Sequence, residues 1–374
     1  MQFRDLGAQY QVLKSDIDAG IQDVIESSTF ILGKPVTELE NKLAEYVGRK
    51  YCVTCANGTD ALQLALMIWN IGTGDAVFTS DFTYFASAGT TSILGGTPIL
   101  VDIDLTTFNM NPEALEMQIK RVINEGKLIP KAIVPVDLFG QPANYDKILP
   151  IAEKYGLKVL EDAAQGFGGN IRGKRAGSFG DLSATSFFPA KPLGCYGDGG
   201  AIFTDDEFID ARLRSLRSQG KSQIDKYDNC EIGINSRLDT LQAAILQPKL
   251  KAFVDYELDA VNKVANWYSE RLIDNFVVPT VLEGFFSSWA QYTILLDSKE
   301  KRDEVQAYLK AEGIPSMIYY PRGLHQQKAY KWMKLSDEMF INTIKATNSC
   351  LSLPIHPYLM EEDVDKICQA LLKK

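Results

Sequence analysis

The chain has 374 residues, of which 45% are hydrophobic and 23% are charged, with 28 Gly and 15 Pro. This composition is ordinary for a folded globular protein and excludes collagenous, coiled-coil and disordered classes, while the length favours two domains. Lys and Arg total 39 against 48 acidic residues, a net charge of −9, which argues against a general nucleic-acid or anionic-membrane binder.

Nothing in the sequence indicates a membrane or secreted protein. No stretch approaches the ~18 apolar residues that span a bilayer, and the first residues, MQFRDLGAQYQVLK, carry no apolar signal-peptide core. The six cysteines are scattered, which favours free thiols over a disulfide framework. The expected location is the cytoplasm.

Helical and strand-like segments alternate through the first 250 residues. Apolar residues at helical spacing predict helices at 36–48, 59–70 and 145–156. Short runs of β-branched residues predict strands at 75–80, 97–104, 131–139 and 158–164. This repeated βαβ pattern predicts a mostly parallel sheet covered by helices on both faces, with ligands at the carboxyl ends of its strands.

The pattern changes after residue 250. It predicts helices at 254–273, 299–312 and 360–373, and strands at 290–297 and 316–320. A small sheet backed by helices accounts for this order. We therefore predict a large domain over residues 1–250 and a smaller C-terminal α/β domain over residues 251–374.

Three short motifs are weak candidates for chemistry. Gly168–Arg175 nearly fits a phosphate-binding P-loop, but Arg175 stands where Ser or Thr must hold Mg²⁺, so a turn between two short strands fits better. Cys52 and Cys55 have redox or zinc spacing, yet no second pair and no suitable His follows, which favours two buried strand thiols. Gly194–Gly200 is glycine-rich but opens no helix and does not match a dinucleotide-binding motif.

Lys191 is the stronger candidate because it is the one charged residue in the segment 182–197. Burial disfavours the ammonium form, and a lysine with a lowered pKa can act as an amine nucleophile that forms a Schiff base with a carbonyl. The alternative is a lysine that extends its charged end to water from an apolar loop.

Three further features suit one cofactor. Asp162, after Glu161 at the end of a predicted strand, could pair with a pyridinium nitrogen, and Tyr84 could stack on its ring. Gly58 and Thr59 open a predicted helix, whose N-terminus binds phosphate. Each has another interpretation, since Asp162 or Thr59 could cap a helix and Tyr84 could belong to the core. Together with an amine they describe pyridoxal 5′-phosphate.

These residues lie in segments that resemble the DegT/DnrJ/StrS family of sugar-nucleotide aminotransferases. The segments are, in order, NGTDALQLAL, FTYFASA, EDAAQGFGG, SFFPAKPLGCYGDGGAIFT and GINSRLDTLQAAIL, and the likeness continues to LSLPIHPYL near the end of the chain. The resemblance implies the type I fold of pyridoxal-phosphate enzymes, with a mostly parallel central sheet between helices and a smaller C-terminal α/β domain.

The resemblance also implies roles for individual residues. Lys191 would carry the cofactor, Asp162 would pair with its ring nitrogen, Gln165 would lie beside its ring hydroxyl, and Tyr84 would stack on the ring. The phosphate would be held by Gly58, Thr59 and Ser186. Because Asn235 of the GINSR motif reaches the phosphate of the neighbouring subunit in this family, the resemblance implies a homodimer with shared active sites.

The reaction implied by the family has two halves. An amino donor, usually L-glutamate, leaves its amine on the cofactor and departs as 2-oxoglutarate, and a nucleotide-linked keto sugar then receives the amine. Lys191 would act as general base and acid, and the kinetics would be ping-pong.

The chain looks most like the enzymes that aminate C3 of UDP-2-acetamido-2-deoxy-3-oxo-glucuronate for surface polysaccharides such as the O-antigen of lipopolysaccharide. Those relatives usually have His where this chain has Tyr319, before Tyr320, at a position that contacts substrate. Arg237 could bind the hexuronate carboxylate with its bidentate guanidinium, or could form a structural ion pair. His325 falls in a region that borders the substrate pocket of relatives. A 4-keto-6-deoxy sugar is the nearest alternative substrate.

These residues also bear on other classes of protein with the same fold. Related dehydratases replace the lysine with His, and a non-catalytic regulatory or binding protein is expected to lose Lys191 or Asp162. Both residues are present. A metal or P-loop enzyme would need residues that this chain lacks.

Overall fold

The computed structural model describes residues 1–222, 224–225 and 227–374. The strands are β1 Tyr51–Cys55, β2 Asp75–Ser80, β3 Thr97–Val101, β4 Ile129–Val134, β5 Lys158–Asp162, β6 Asn170–Ile171, β7 Lys174–Arg175, β8 Leu182–Ser186, β9 Gly200–Thr204, β10 Phe285–Phe286, β11 Tyr292–Leu295 and β12 Cys350–Leu353.

The α-helices are α1 Leu6–Ser27, α2 Lys34–Val47, α3 Gly58–Ile68, α4 Ala86–Ile93, α5 Pro112–Glu125, α6 Tyr145–Tyr155, α7 Glu207–Leu216, α8 Thr240–Ala252, α9 Leu258–Leu272, α10 Lys299–Ala311, α11 Ile341–Ser349 and α12 Glu361–Leu372. One π-helical turn, Phe253–Glu257, joins α8 to α9. Short 3₁₀ turns lie at Leu138–Gly140, Leu324–Gln326, Lys328–Met333 and Asp337–Met339.

A seven-stranded sheet forms the centre of the molecule, with the order β1-β9-β8-β5-β4-β2-β3. Strand β9 is antiparallel to both of its neighbours, and the other pairs in the sheet are parallel. Strands β2, β8 and β9 are buried along their whole length, which explains why their sequences read as continuous short runs without alternation. The predicted mostly parallel sheet between helices is confirmed.

The parallel arrangement brings several predicted residues to one edge of the sheet. Asp162 is the last residue of β5, and Ser186 is the last residue of β8. Strand β1 ends three residues before Gly58, and β2 ends four residues before Tyr84. Because parallel strands end on the same side of a sheet, these residues share its carboxyl edge.

The short motifs have structural explanations. Strands β6 and β7 pair antiparallel around the turn at 172–173, as predicted for the Gly168–Arg175 segment. Cys52 and Cys55 are buried in β1, and the cysteines of the described chain are all free thiols.

The C-terminal part has its own apolar cluster, made of residues between Val261 and Leu371 around α9, α10, α12, β11 and β12. The predicted strand 316–320 is wrong. Met317 alone pairs with Ser352, through Met317 N–H to Ser352 O at 3.0 Å and Ser352 N–H to Met317 O at 2.8 Å. The chain then leaves β12, and Tyr320 packs against Phe82 of the central sheet region.

The helical run from α8 through the π-helical turn into α9 passes residue 250 without a break. The separate cluster over 261–371 supports a second domain, and its boundary at residue 250 stays a prediction. Helix α1, which packs against α8, was not predicted. Within the described ranges, no helix combines the length and the apolar character of a membrane-spanning segment.

Candidate active site

Lys191 lies in the loop between β8 and β9, with its backbone N–H bonded to Phe188 O at 2.8 Å. Its ammonium group makes no hydrogen bond or ion pair with any described residue. Burial lowers the pKa of Lys191 to about 8, while the nearby Asp162 carboxylate raises it and the Arg4 guanidinium lowers it. About a tenth of the lysine is therefore the free amine at pH 7, which makes a nucleophile available.

Asp162 is buried and held by two hydrogen bonds. Its Oδ2 accepts from Ser87 Oγ at 2.8 Å, and its Oδ1 accepts from Ala164 N at 3.2 Å. Burial raises the pKa of Asp162, and the two hydrogen bonds together with Lys191 oppose that rise. A buried carboxylate fixed in this way suits a cationic ring nitrogen. Ser87, on α4, was not predicted as a partner of Asp162. The only indication in the sequence is its position three residues after Tyr84.

The cradle at the start of α3 depends on a close approach of two strand ends. Asn57 caps the helix, with its Oδ1 accepting from Asp60 N at 2.8 Å. A Cβ on Gly58 would lie 2.6 Å from Ser186 Cβ, so only glycine leaves this space open. The backbone N–H groups at the N-terminus of α3 and the Ser186 hydroxyl thus lie together, which fits a phosphate group.

Gln165 is held from both ends of its amide. Its Oε1 accepts from Phe139 N at 2.9 Å, and its Nε2 donates to Tyr320 Oη at 3.0 Å. Tyr320 is packed edge-on against Phe82, with ring centroids 5.8 Å apart. These contacts connect Gln165, which is predicted to lie beside the ring hydroxyl of the cofactor, with Tyr320, which belongs to the segment predicted to contact substrate.

Tyr84 is 59% exposed just beyond the end of β2, so it is not a core residue. Its neighbour Phe85 stacks on Tyr330, with ring centroids 5.3 Å apart. Burial raises the pKa of Tyr320, and the hydrogen bond from Gln165 opposes that rise. Its proposed stacking role stays a prediction.

The GINSR motif lies beside the phosphate cradle. Ser236 is buried, and its Oγ accepts from Ala56 N at 3.0 Å, two residues before Gly58. Asn235, next to it, is exposed. Arg237 is half-buried and makes no hydrogen bond or ion pair within the described chain, so the structural ion pair considered as its alternative is not observed.

His325 does not fit the substrate contact predicted for it. Its Nδ1 lies 2.6 Å from Asp81 Oδ2, its Nε2 lies 2.9 Å from Asp337 Oδ1, and its ring stacks on Phe340 with centroids 4.4 Å apart. Burial lowers the pKa of His325, but the two carboxylates outweigh it and raise the pKa above its usual value. With both ring nitrogens paired, we assign His325 to the packing of the 323–327 loop on the end of β2.

These residues form a site with a partly neutral lysine, a buried carboxylate and a phosphate cradle, the arrangement of a pyridoxal-phosphate aminotransferase of fold type I. Residues 11–372 match the DegT/DnrJ/EryC1/StrS aminotransferase family. The chain belongs to this family, whose cofactor is pyridoxal phosphate.

Individual relatives agree with this assignment. A Pseudomonas aeruginosa protein described as UDP-2-acetamido-2-deoxy-3-oxo-D-glucuronate aminotransferase is 46% identical over 99% of both chains. A Geobacillus stearothermophilus protein described as a pleiotropic regulatory protein is 40% identical over 98% of this chain and 97% of that one. The crystal structure of a family aminotransferase from Brucella abortus has a TM-score of 0.96 and 48% identity, and covers 100% of this chain and 99% of that one.

Gly58→Ala is expected to weaken cofactor binding by about tenfold or more, because the added methyl group must displace Ser186 or the helix start. Titration of the cofactor-free protein with pyridoxal phosphate measures this. Gly72→Ala is the matched control, since its Cβ would meet nothing closer than 4.0 Å. If Gly58→Ala and wild type bound pyridoxal phosphate with equal affinity, the phosphate group would not bind in this cradle.

Proposed function

We propose that the protein transfers an amino group from L-glutamate to a nucleotide-linked keto sugar, with pyridoxal phosphate as its cofactor. The observation that carries this proposal is that Asp162, a buried carboxylate held by Ser87 at the carboxyl end of β5, lies within electrostatic reach of Lys191, whose pKa burial lowers to about 8. The family assignment supports it.

The chemistry divides between the cofactor and the chain. Pyridoxal phosphate supplies, when bound, an electrophilic carbon and a ring that accepts electrons. The Asp162 carboxylate favours a protonated ring nitrogen, and Ser87 keeps that carboxylate in place. Lys191 Nζ, as the free amine, would remove the proton from the α-carbon of the donor and deliver it to the cofactor carbon that takes up the amine.

The same groups serve both halves of the reaction. In the first half L-glutamate gives up its amine and leaves as 2-oxoglutarate, with water supplying the keto oxygen. In the second half the keto sugar enters the same site, receives the amine and loses its keto oxygen as water. Lys191 reverses its direction of proton transfer between the halves. Because one substrate must leave before the other binds, the kinetics are ping-pong.

For the acceptor we propose UDP-2-acetamido-2-deoxy-3-oxo-glucuronate, aminated at C3. Two observations support this choice: the Pseudomonas aeruginosa relative is described as acting on this sugar, and Arg237 has an unpaired guanidinium suited to a hexuronate carboxylate. Tyr319 and Tyr320 would contact the sugar, with Tyr320 already hydrogen-bonded to Gln165. A 4-keto-6-deoxy sugar has no carboxylate for Arg237.

A regulatory role is the alternative raised by the description of the Geobacillus relative. A binding protein has no need of a lysine with a lowered pKa next to a buried carboxylate. The retained Lys191 and Asp162 favour catalysis over that alternative, and over a dehydratase that would carry His in place of the lysine.

The proposal includes a homodimer with shared active sites. Phe30, Ile31 and Leu32 are exposed apolar residues beside the GINSR motif, since Thr240 N donates to Phe30 O at 2.9 Å. Such a patch favours a protein interface. The proposal also includes a role in surface polysaccharide synthesis, such as that of the lipopolysaccharide O-antigen. It places the protein in the cytoplasm, because free thiols persist there.

Arg237→Ala is expected to raise the KM for the keto-hexuronate by about 30-fold, because a buried carboxylate contact is worth ~2 kcal/mol. Amino-sugar formation from the uronate and from a dTDP-4-keto-6-deoxy sugar, each with L-glutamate, measures this by mass spectrometry. Turnover of the 4-keto sugar alone, or an unchanged KM in the variant, would contradict the proposed acceptor.

Shared sites predict complementation between two inactive variants. In a mixed dimer of Lys191→Ala and Asn235→Asp subunits, one site combines an intact Lys191 with an intact Asn235. Random mixing should restore about a quarter of the wild-type activity, since half of the dimers are mixed and each has one intact site. Subunit exchange confirmed by mass tags, without recovered activity, would place Asn235 in the site of its own subunit.

A further inference from the structure

A small cavity is lined in part by Lys191. It has a volume of about 20 Å³ and is built from both ends of the chain, with Arg4, Lys249, Glu257 and His356 in its lining. This volume holds roughly one water molecule. Arg4 and Lys191 are partly exposed, whereas the lining residues Lys249, Glu257 and His356 are buried. Arg4 and Lys191 are therefore the cations that a ligand outside the cavity can reach.

The three cations here have no ion-pair partner. No ion pair involves Arg4, Lys191 or Lys249 in the described part of the chain, although Lys249 Nζ lies 4.7 Å from the centroid of the Tyr196 ring. His356 adds no charge, because burial lowers its pKa to about 4. Both carboxylates of the lining are engaged: Asp5 Oδ1 accepts from Ala8 N at 2.8 Å, and Glu257 Oε1 accepts from Gln9 Nε2 at 2.8 Å and from Tyr358 Oη at 2.6 Å. The surroundings of Lys191 thus favour an anion.

Arg4 itself is held loosely. Its one hydrogen bond to a described residue runs from Nη2 to Pro192 O at 3.4 Å, which leaves most of its guanidinium donors free. The adjacent Phe3 ring meets Tyr319 edge-on, with centroids 6.2 Å apart. The bond to Pro192, the residue after Lys191, and the shared cavity place Arg4 near the reacting amine, and the Phe3 contact places this part of the chain near the proposed substrate segment.

We propose that Arg4 binds the carboxylate of the amino donor. This role rests on the proposed function. In an α-amino acid the carboxylate is bonded to the carbon whose proton Lys191 removes, so its partner must lie close to Lys191. In the proposed sugar the carboxylate carbon is three bonds from the reacting C3, so a cation near Lys191 suits it less well. The planar fork of arginine binds such a carboxylate through two parallel hydrogen bonds.

The test separates the two half-reactions of the cofactor-loaded protein. The visible absorption band of the cofactor reports the reaction with L-glutamate, and the return of that band after keto sugar is added to the amine-loaded form reports the second half. Arg4→Gln is expected to weaken apparent binding of L-glutamate by about 30-fold or more, and to leave that of the keto sugar within about threefold. Arg4→Lys should fall between, since it keeps the charge but loses the fork.

A binding measurement gives a second readout that needs no turnover. Glutarate, a dicarboxylate without an amine, should bind the wild-type holoenzyme in a calorimetric titration and bind Arg4→Gln at least about tenfold more weakly. Arg121→Gln is the matched control, because Arg121 forms an exposed ion pair with Glu125 on α5, at 2.8 Å. It should match wild type in every measurement.

Two results would overturn the role of Arg4: unchanged L-glutamate and glutarate affinity in Arg4→Gln, or an equal loss in both half-reactions. If Arg4→Gln unfolds, Arg4→Lys decides between these outcomes. The failure of the proposed function would give a different result. The wild-type protein itself would then show no cofactor band and neither half-reaction.

Discussion

The buried carboxylate of Asp162 and the amine of the partly buried Lys191 lie within electrostatic reach of each other at the carboxyl edge of the sheet, and the site depends on this pair. Burial raises the pKa of Asp162 and lowers that of Lys191, while their mutual attraction opposes both shifts. Burial outweighs the attraction in both groups, and the lowered pKa of Lys191 makes its free amine accessible near neutral pH. Ser87 holds the carboxylate through a hydrogen bond from its Oγ to Asp162 Oδ2.

The rest of the fold positions this pair. Antiparallel β9 and parallel β8 bring Ser186 against Gly58, so the phosphate cradle forms beside the lysine loop. The C-terminal part reaches the same edge through Tyr320, which bonds to Gln165, and through the His325 contact with Asp81 after β2. Both contacts fix the loop that carries the proposed sugar-binding residues to the strand ends that carry the cofactor residues.

The sheet and the residues at its edge could be predicted from sequence, because buried parallel strands read as short apolar runs and their ends carry polar residues. Strand 75–80 matches β2, whereas 97–104 and 158–164 end earlier as β3 and β5, since apolar side chains continue past the last paired residue. Helix α1 was missed because few of its residues are buried, and Val12 is 60% exposed. Arg4 and the partners of His325 could not be predicted, since each contact joins segments far apart in the chain.

The most direct measurement is the absorption spectrum of the purified protein loaded with pyridoxal phosphate, for wild type and Lys191→Ala, before and after borohydride and L-glutamate. We expect a visible band that borohydride fixes covalently on Lys191, that L-glutamate abolishes, and that is absent from the variant. Two results would contradict catalysis at Lys191 and favour a regulatory protein on this fold. In the first, the wild-type protein binds the cofactor but shows no band that depends on Lys191. In the second, the band is present but no amino donor changes it.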